Sequence, residues 1–77
     1  MNQISLVQMR PNQKGRVVEI LGGYNLQKRL SSMGLLKGKE IKKISHIGLK
    51  GPVVVKVGKT ILALGYGMAA KVLVETE

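Results

Sequence analysis

The chain has 77 residues, a net charge of +9 and no cysteine. That length suits a single domain, 1–77, with one small core: so short a chain buries only about 60–65% of its extended-chain surface, which leaves little room for an enclosed active site. The missing cysteines exclude a disulfide framework and thiolate metal sites, and no apolar stretch is long enough to cross a bilayer as a helix.

The first ten residues, MNQISLVQMR, contain no apolar run of signal-peptide length, so a cytoplasmic protein is expected. Hydrophobic residues make up 44% of the chain, with no Phe, no Trp and only Tyr24 and Tyr66 as aromatics. The core must therefore be aliphatic. Ten glycines are spread along the sequence and mark turns, not a linker.

In chain order, Ile4, Leu6, Val7 and Met9 form a short apolar segment expected to cover one end of the core. Pro11-Asn12-Gln13-Lys14-Gly15 is a turn signal. Arg16–Leu21 is rich in β-branched residues and reads as a strand with Val18 and Ile20 on one face, broken by Gly22-Gly23. Tyr24–Met33 reads as a helix with Asn25 as its N-cap. Its Leu26, Leu30 and Met33, at i, i+4 and i+7, form one apolar stripe. Gly34 stands where a left-handed residue commonly ends a helix.

After a turn at Leu35–Gly38, Lys39–Ile47 reads as a strand. Its Ile41, Ile44 and Ile47 fail to alternate, which implies a bulge. Gly48–Gly51 is a loop, and Pro52–Val57 a strand whose first position tolerates proline. Gly58-Lys59 is a hairpin turn and Thr60–Leu64 the return strand. Gly65–Ala70 is a short helical turn. Lys71–Glu75 is a last strand with Val72 and Val74 on one face. Short strands, glycine turns and one helix together suggest a mainly β protein, a small, partly closed antiparallel barrel.

Catalytic chemistry is sparse. His46 is the single histidine, expected on the surface or an edge strand, and alone it cannot make a metal site. Glu19, Glu40, Glu75 and Glu77 show no spacing that would pair two carboxylates in a pocket. The methionines read as gap fillers. Gly58-Lys59-Thr60 resembles the end of a phosphate-binding loop, but the glycine required five residues earlier is Val53. No enzyme, cofactor or metal site is expected.

The charge leaves two readings open. Thirteen basic residues against four acidic ones favour a polyanion, whether nucleic acid, an anionic membrane face or an acidic protein, or they simply keep a small apolar fold soluble. A nucleic-acid-binding barrel is the alternative function. Two tyrosines in turn regions are a thin supply of stacking groups for it.

From about Ile4 to Glu75 the chain resembles the FeoA family, small cytoplasmic accessory proteins of bacterial ferrous iron transport. The residues that carry the resemblance are Leu6, Met9, Gly15, Val18, the Gly22-Gly23 break, Arg29-Leu30, Met33-Gly34-Leu35 and Gly38. It continues through Pro52-Val53, Val55, Val57, the alternating run Ile61 to Leu64, and Ala69 or Ala70. The family often has proline at the positions of Lys37 and Gly48. Losing either loosens a turn without changing the fold. The domain is also similar to the C-terminal module of metal-dependent bacterial repressors. A repressor role is not expected, because no helix-turn-helix precedes the domain here.

The resemblance implies an SH3-like antiparallel barrel with one added α-helix and a short helical turn. It also implies a partner, a FeoB-type membrane transporter with a cytoplasmic GTPase domain. The expected contact surface lies on or beside the helix, at Gln27, Lys28 and Arg29, with Leu36 at the following turn. Leu49 and Lys50 in the Gly48–Gly51 loop have similar character. The other reading is that Leu36 and Leu49 fold back as core plugs, the one favoured for Leu49. The basic surface would also suit the anionic inner leaflet.

Overall fold

The computed structural model describes residues 2–76; Met1 and Glu77 lie outside the described residues. Six strands form one antiparallel sheet: β1 (Asn2–Ser5), β2 (Lys14–Ile20), β3 (Glu40–His46), β4 (Val53–Val57), β5 (Thr60–Leu64) and β6 (Val72–Thr76). Helix α1 (Tyr24–Ser32) joins β2 to β3, and the short α2 (Tyr66–Ala69) joins β5 to β6. Neighbours in the sheet run β1-β6-β2-β3-β4-β5. The expected barrel is thus not closed: no ladder joins the edge strands β1 and β5 among the described residues. A flat six-stranded sheet would be about 24 Å wide and only about 10 Å thick with its packing layer. The Cα extents of 28 × 26 × 23 Å show instead a sheet coiled around its own core.

That core is aliphatic, as the composition requires. Val17, Ile41, Val53, Val55, Val72 and Val74 line one face of the sheet and pack with Leu30 of α1 and Ala69 of α2 in a single cluster. Two bulges decide which residues reach it. In β2, Val17 stands opposite Val74 and Glu19 opposite Leu73, so Val18 is the extra residue. Val17 and Ile20 therefore share the buried face, not Val18 and Ile20: one inserted residue inverts the alternation beyond it. In β3 the expected bulge is present. Lys43 stands opposite Val55 and Ser45 opposite Val54, leaving Ile44 unmatched. His46, opposite Val53, is thereby turned onto the face that carries Ile41 and Lys43. It is a half-buried inner residue, not the surface residue expected.

The N-terminal segment is more ordered than its sequence suggests. Asn2–Ser5 lacks a β-branched run, yet it pairs residue by residue with β6, Ile4 opposite Val74. Its strand character comes from that partner, a tertiary effect that propensity does not carry. Two tight turns follow, each closed by a glutamine. Gln8 Oε1 accepts from the Ser5 amide at 2.9 Å, and Gln13 Oε1 from the Arg10 amide at 2.8 Å. Leu6 and Met9 enter the core, as expected of this segment.

Helix α1 starts two residues earlier than an Asn25 cap would allow. Gly23 is the N-cap and carries no side chain to donate or accept. Its carbonyl takes the first helical bond from the Gln27 amide at 3.1 Å, so Asn25 already lies in the first turn. At the other end, Gly34 has φ +91°. The Leu35 amide donates to Leu30 O at 2.9 Å and the Gly34 amide to Ser31 O at 3.0 Å. This is a Schellman ending, in which two orphan carbonyls are satisfied and the flanking apolar pair meets. Leu30 and Leu35, the members of that pair, are both fully buried. Each contributes about 1.5–3 kcal/mol by burial. In the β3–β4 loop a Cβ at Gly51 would collide with the Ile47 carbonyl oxygen, so the loop closes only on glycine.

One inner residue of β3 is not apolar. Lys43 is 1% exposed. Its Nζ donates to Met9 O at 2.6 Å and Val7 O at 3.0 Å, and lies 3.5 Å from His46 Nδ1. Burial pushes the ammonium below its ordinary value of 10.5, because the charged form has lost water. The two carbonyl acceptors oppose that shift by favouring the charge.

Two predictions test these features. Gly34→Val, which forces a β-branched residue into the left-handed region, should cost about 1–2 kcal/mol of stability in urea unfolding; an unchanged midpoint would mean that the helix ending is not what orders this turn. Lys43→Met keeps the stem but strands two carbonyls, and should cost about 1–3 kcal/mol at neutral pH. The Lys43 value is depressed in the folded state, so the unfolded chain holds the extra proton between that value and 10.5. The wild type should then gain stability relative to Lys43→Met as pH rises through that window. A flat difference would remove the burial argument.

Candidate functional site

The stripe of Leu26, Leu30 and Met33 binds α1 to the sheet. The next face of the helix carries Tyr24, Gln27, Lys28 and Ser31, at i, i+3, i+4 and i+7, and it borders an open groove of about 610 Å³. The far wall is the end of β2 at Ile20 together with the turn Leu35-Leu36-Lys37. The Schellman ending positions this wall: with Leu35 held in the core, Leu36 is turned outward and is 43% exposed. Of the two readings left open for Leu36, the exposed one holds.

The groove mixes apolar and cationic groups. Tyr24 stands at the mouth, 76% exposed. Lys37 Nζ pairs with Glu19 Oε1 at 3.0 Å across the surface. The Lys37 hydrogen bond, and then its charge, hold the Glu19 carboxyl below its usual value. Lys28 has no carboxylate within ion-pair distance among the described residues. Gln27 is less available than its sequence position suggests. Its Nε2 donates to Gly22 O at 3.2 Å, which ties the helix to the turn that precedes it.

The structure therefore brings Gln27, Lys28 and Leu36 together and leaves the other expected residues apart. Arg29 is exposed on α1 but outside the groove lining, with its carbonyl accepting from Ser32 Oγ at 2.7 Å. Leu49 and Lys50 lie on the β3–β4 loop, away from this groove. Leu49 is 91% exposed, so it is not a core plug. Tyr24 and Lys37 belong to the groove and were not among the expected residues. The signal for Tyr24 was present in its i, i+4, i+7 spacing with Lys28 and Ser31, beside the apolar stripe.

Beyond the groove, His46 and Tyr66 face each other with ring centroids 6.1 Å apart, and His46 Nε2 is buried with no partner among the described residues. No group of three or more His, Asp or Glu side chains able to hold a metal occurs among the described residues. No helix among them is long and apolar enough to cross a membrane.

No curated protein matches the chain. The FeoA domain family matches it over residues 4–76. Among solved structures it is similar to an iron uptake regulatory protein (FeoA), with 38% identity, both chains covered in full and a TM-score of 0.90. It is also similar to the FeoA of Stenotrophomonas maltophilia in complex with zinc, described as a procaryotic SH3 domain protein. There the identity is 24%, covering 94% of this chain and 89% of that one at a TM-score of 0.80. T. acidophilum IdeR shares the fold at 22% identity and a TM-score of 0.85, with all of this chain covering 35% of that one. The open, coiled sheet with its inserted helix is thus an SH3-like arrangement that larger chains also contain. The family match spans nearly the whole domain, and more than a third of the residues are identical along a full-length relative; the chain belongs to the FeoA family, whose members are associated with ferrous iron transport.

Proposed function

We propose that this protein is a cytoplasmic accessory factor of ferrous iron transport, acting by binding a FeoB-type membrane transporter with a GTPase domain. The observation that carries the reading is Leu36, an exposed apolar tip on a turn that the buried Leu35 and the Schellman ending hold in one geometry. A preordered apolar anchor loses little entropy on association and suits the centre of an interface. Tyr24 adds a second anchor across the groove. Lys28, Gln27 and the adjacent Arg29 form a polar and cationic rim, which speeds encounter with an acidic partner surface. Leu49 with Lys50 repeats the pairing of an exposed apolar tip and a cation on a separate loop, and is a second candidate contact.

Leu36→Ser tests the reading. Its affinity for the solubilised transporter should fall at least about tenfold, as for an interface anchor. Its melting temperature should move by less than about 4 °C, as for a surface position. Unchanged affinity would take Leu36, and the groove with it, out of the interface. A large loss of stability would place the residue's role in folding.

A further inference from the structure

The outer face of the sheet carries two neighbouring cross-strand rows of opposite design. In one, Glu75 of β6, Arg16 of β2 and Glu40 of β3 stand opposite one another, and Arg16 Nη2 donates to Glu40 Oε1 at 3.2 Å. Acid, base and acid alternate, so the row is compensated. Two residues further along the strands, Lys14 of β2, Lys42 of β3 and Lys56 of β4 stand opposite one another. Like charges directly opposite on adjacent strands, about 5 Å apart, repel and destabilise the sheet. No carboxylate lies within ion-pair distance of these three lysines among the described residues.

The row borders an open groove of about 520 Å³ whose lining includes Lys14, Lys39, Lys42 and Lys56. Its one acid is Glu40, already engaged by Arg16. On the edge strand the row continues at Ile61, opposite Lys56 and 62% exposed.

We propose that this lysine row is a docking face for an anionic phospholipid surface. The partner must be negative and must spread across three strands, since the charges form a line of side-chain tips and not a pocket. Lysine supplies compact point charges without the planar fork that reads bases or single carboxylates. No aromatic side chain lines the groove, so bases have nothing to stack on. Phospholipid headgroups provide a dense field of phosphates, and an apolar side chain in the same row suits the boundary between headgroups and acyl chains. The face is separate from the groove beside α1, and this inference does not depend on the partner proposed for that groove.

The test is co-sedimentation of the full chain with phosphatidylcholine vesicles, alone or with about one-third phosphatidylglycerol, at about 0.1 M salt. The double variant Lys42→Gln/Lys56→Gln is compared with Arg10→Gln/Lys71→Gln, which removes the same charge from exposed positions elsewhere. Wild type should bind the anionic vesicles and not the neutral ones. The row variant should lose about tenfold or more in binding, and the control less than about twofold. The row variant should melt no lower than wild type, because its repulsion has been relieved; this separates lost binding from lost folding. Equal binding to both vesicle types would overturn the proposal, as would equal losses in the two variants. So would row-dependent binding to a DNA oligonucleotide or to polyglutamate with none to vesicles.

Discussion

The arrangement of this small domain hangs on one buried ammonium. Lys43 Nζ donates to two carbonyls, those of Val7 and Met9, and lies 3.5 Å from Nδ1 of His46. Its own backbone adds two more ties to the same region, since the Asn12 amide donates to Lys43 O and the Lys43 amide to Gln13 O. One residue thus clamps the irregular segment between β1 and β2 onto the middle of β3. In a sheet whose edge strands share no ladder among the described residues, such a tie replaces part of what barrel closure would supply. An isolated buried charge would be strongly unfavourable. Here the carbonyls of Val7, within the first glutamine-closed turn, and of Met9, between the two turns, answer it, and the bulge at Ile44 brings His46 alongside. Charge, turn and bulge are mutually dependent.

Much of the fold is legible in the sequence wherever local pattern and final environment agree. The stripe of Leu26, Leu30 and Met33 marks the buried side of α1. Gly34 marks its end, and the broken alternation of Ile41, Ile44 and Ile47 marks the bulge in β3. The misses have a common cause. Asn2–Ser5 becomes a strand only because β6 lies beside it. Val17 replaces Val18 in the core because a bulge cannot be read from a run of β-branched residues that are equally apolar on both sides. Lys43 reads as one more surface lysine, since nothing local announces two carbonyls contributed from more than thirty positions away. Asn25 looks like a cap, but the Gly22-Gly23 pair turns the chain early enough for Gly23 to take that place.

The candidate site is legible to a different degree. Leu36 was exposed for a reason the sequence contains: a glycine ending places the next residue inward and the one after it outward. Tyr24 and Lys37 joined it only when the helix was set against the end of β2, a placement fixed by tertiary packing. Leu49 shows the converse. A leucine in a glycine loop could cap the core, yet the close approach of Gly51 to the Ile47 carbonyl tightens the loop and leaves the side chain outside.

The distribution of charge completes the argument. If +9 served only solubility, the few carboxylates would be best placed to relieve the closest repulsions. They are placed otherwise. Glu19 pairs with Lys37 beside the α1 groove, and Glu40 with Arg16, whose cross-strand neighbour on the other side is Glu75. The row Lys14, Lys42 and Lys56, where opposed cations cost the sheet most, receives none of them among the described residues. A fold selected for stability alone would break that row with one glutamate. The compensated row on the same face shows that the sheet can neutralise such charges, and the lysine row is left without a carboxylate partner among the described residues. An anionic phospholipid surface docked along the row would relieve that repulsion.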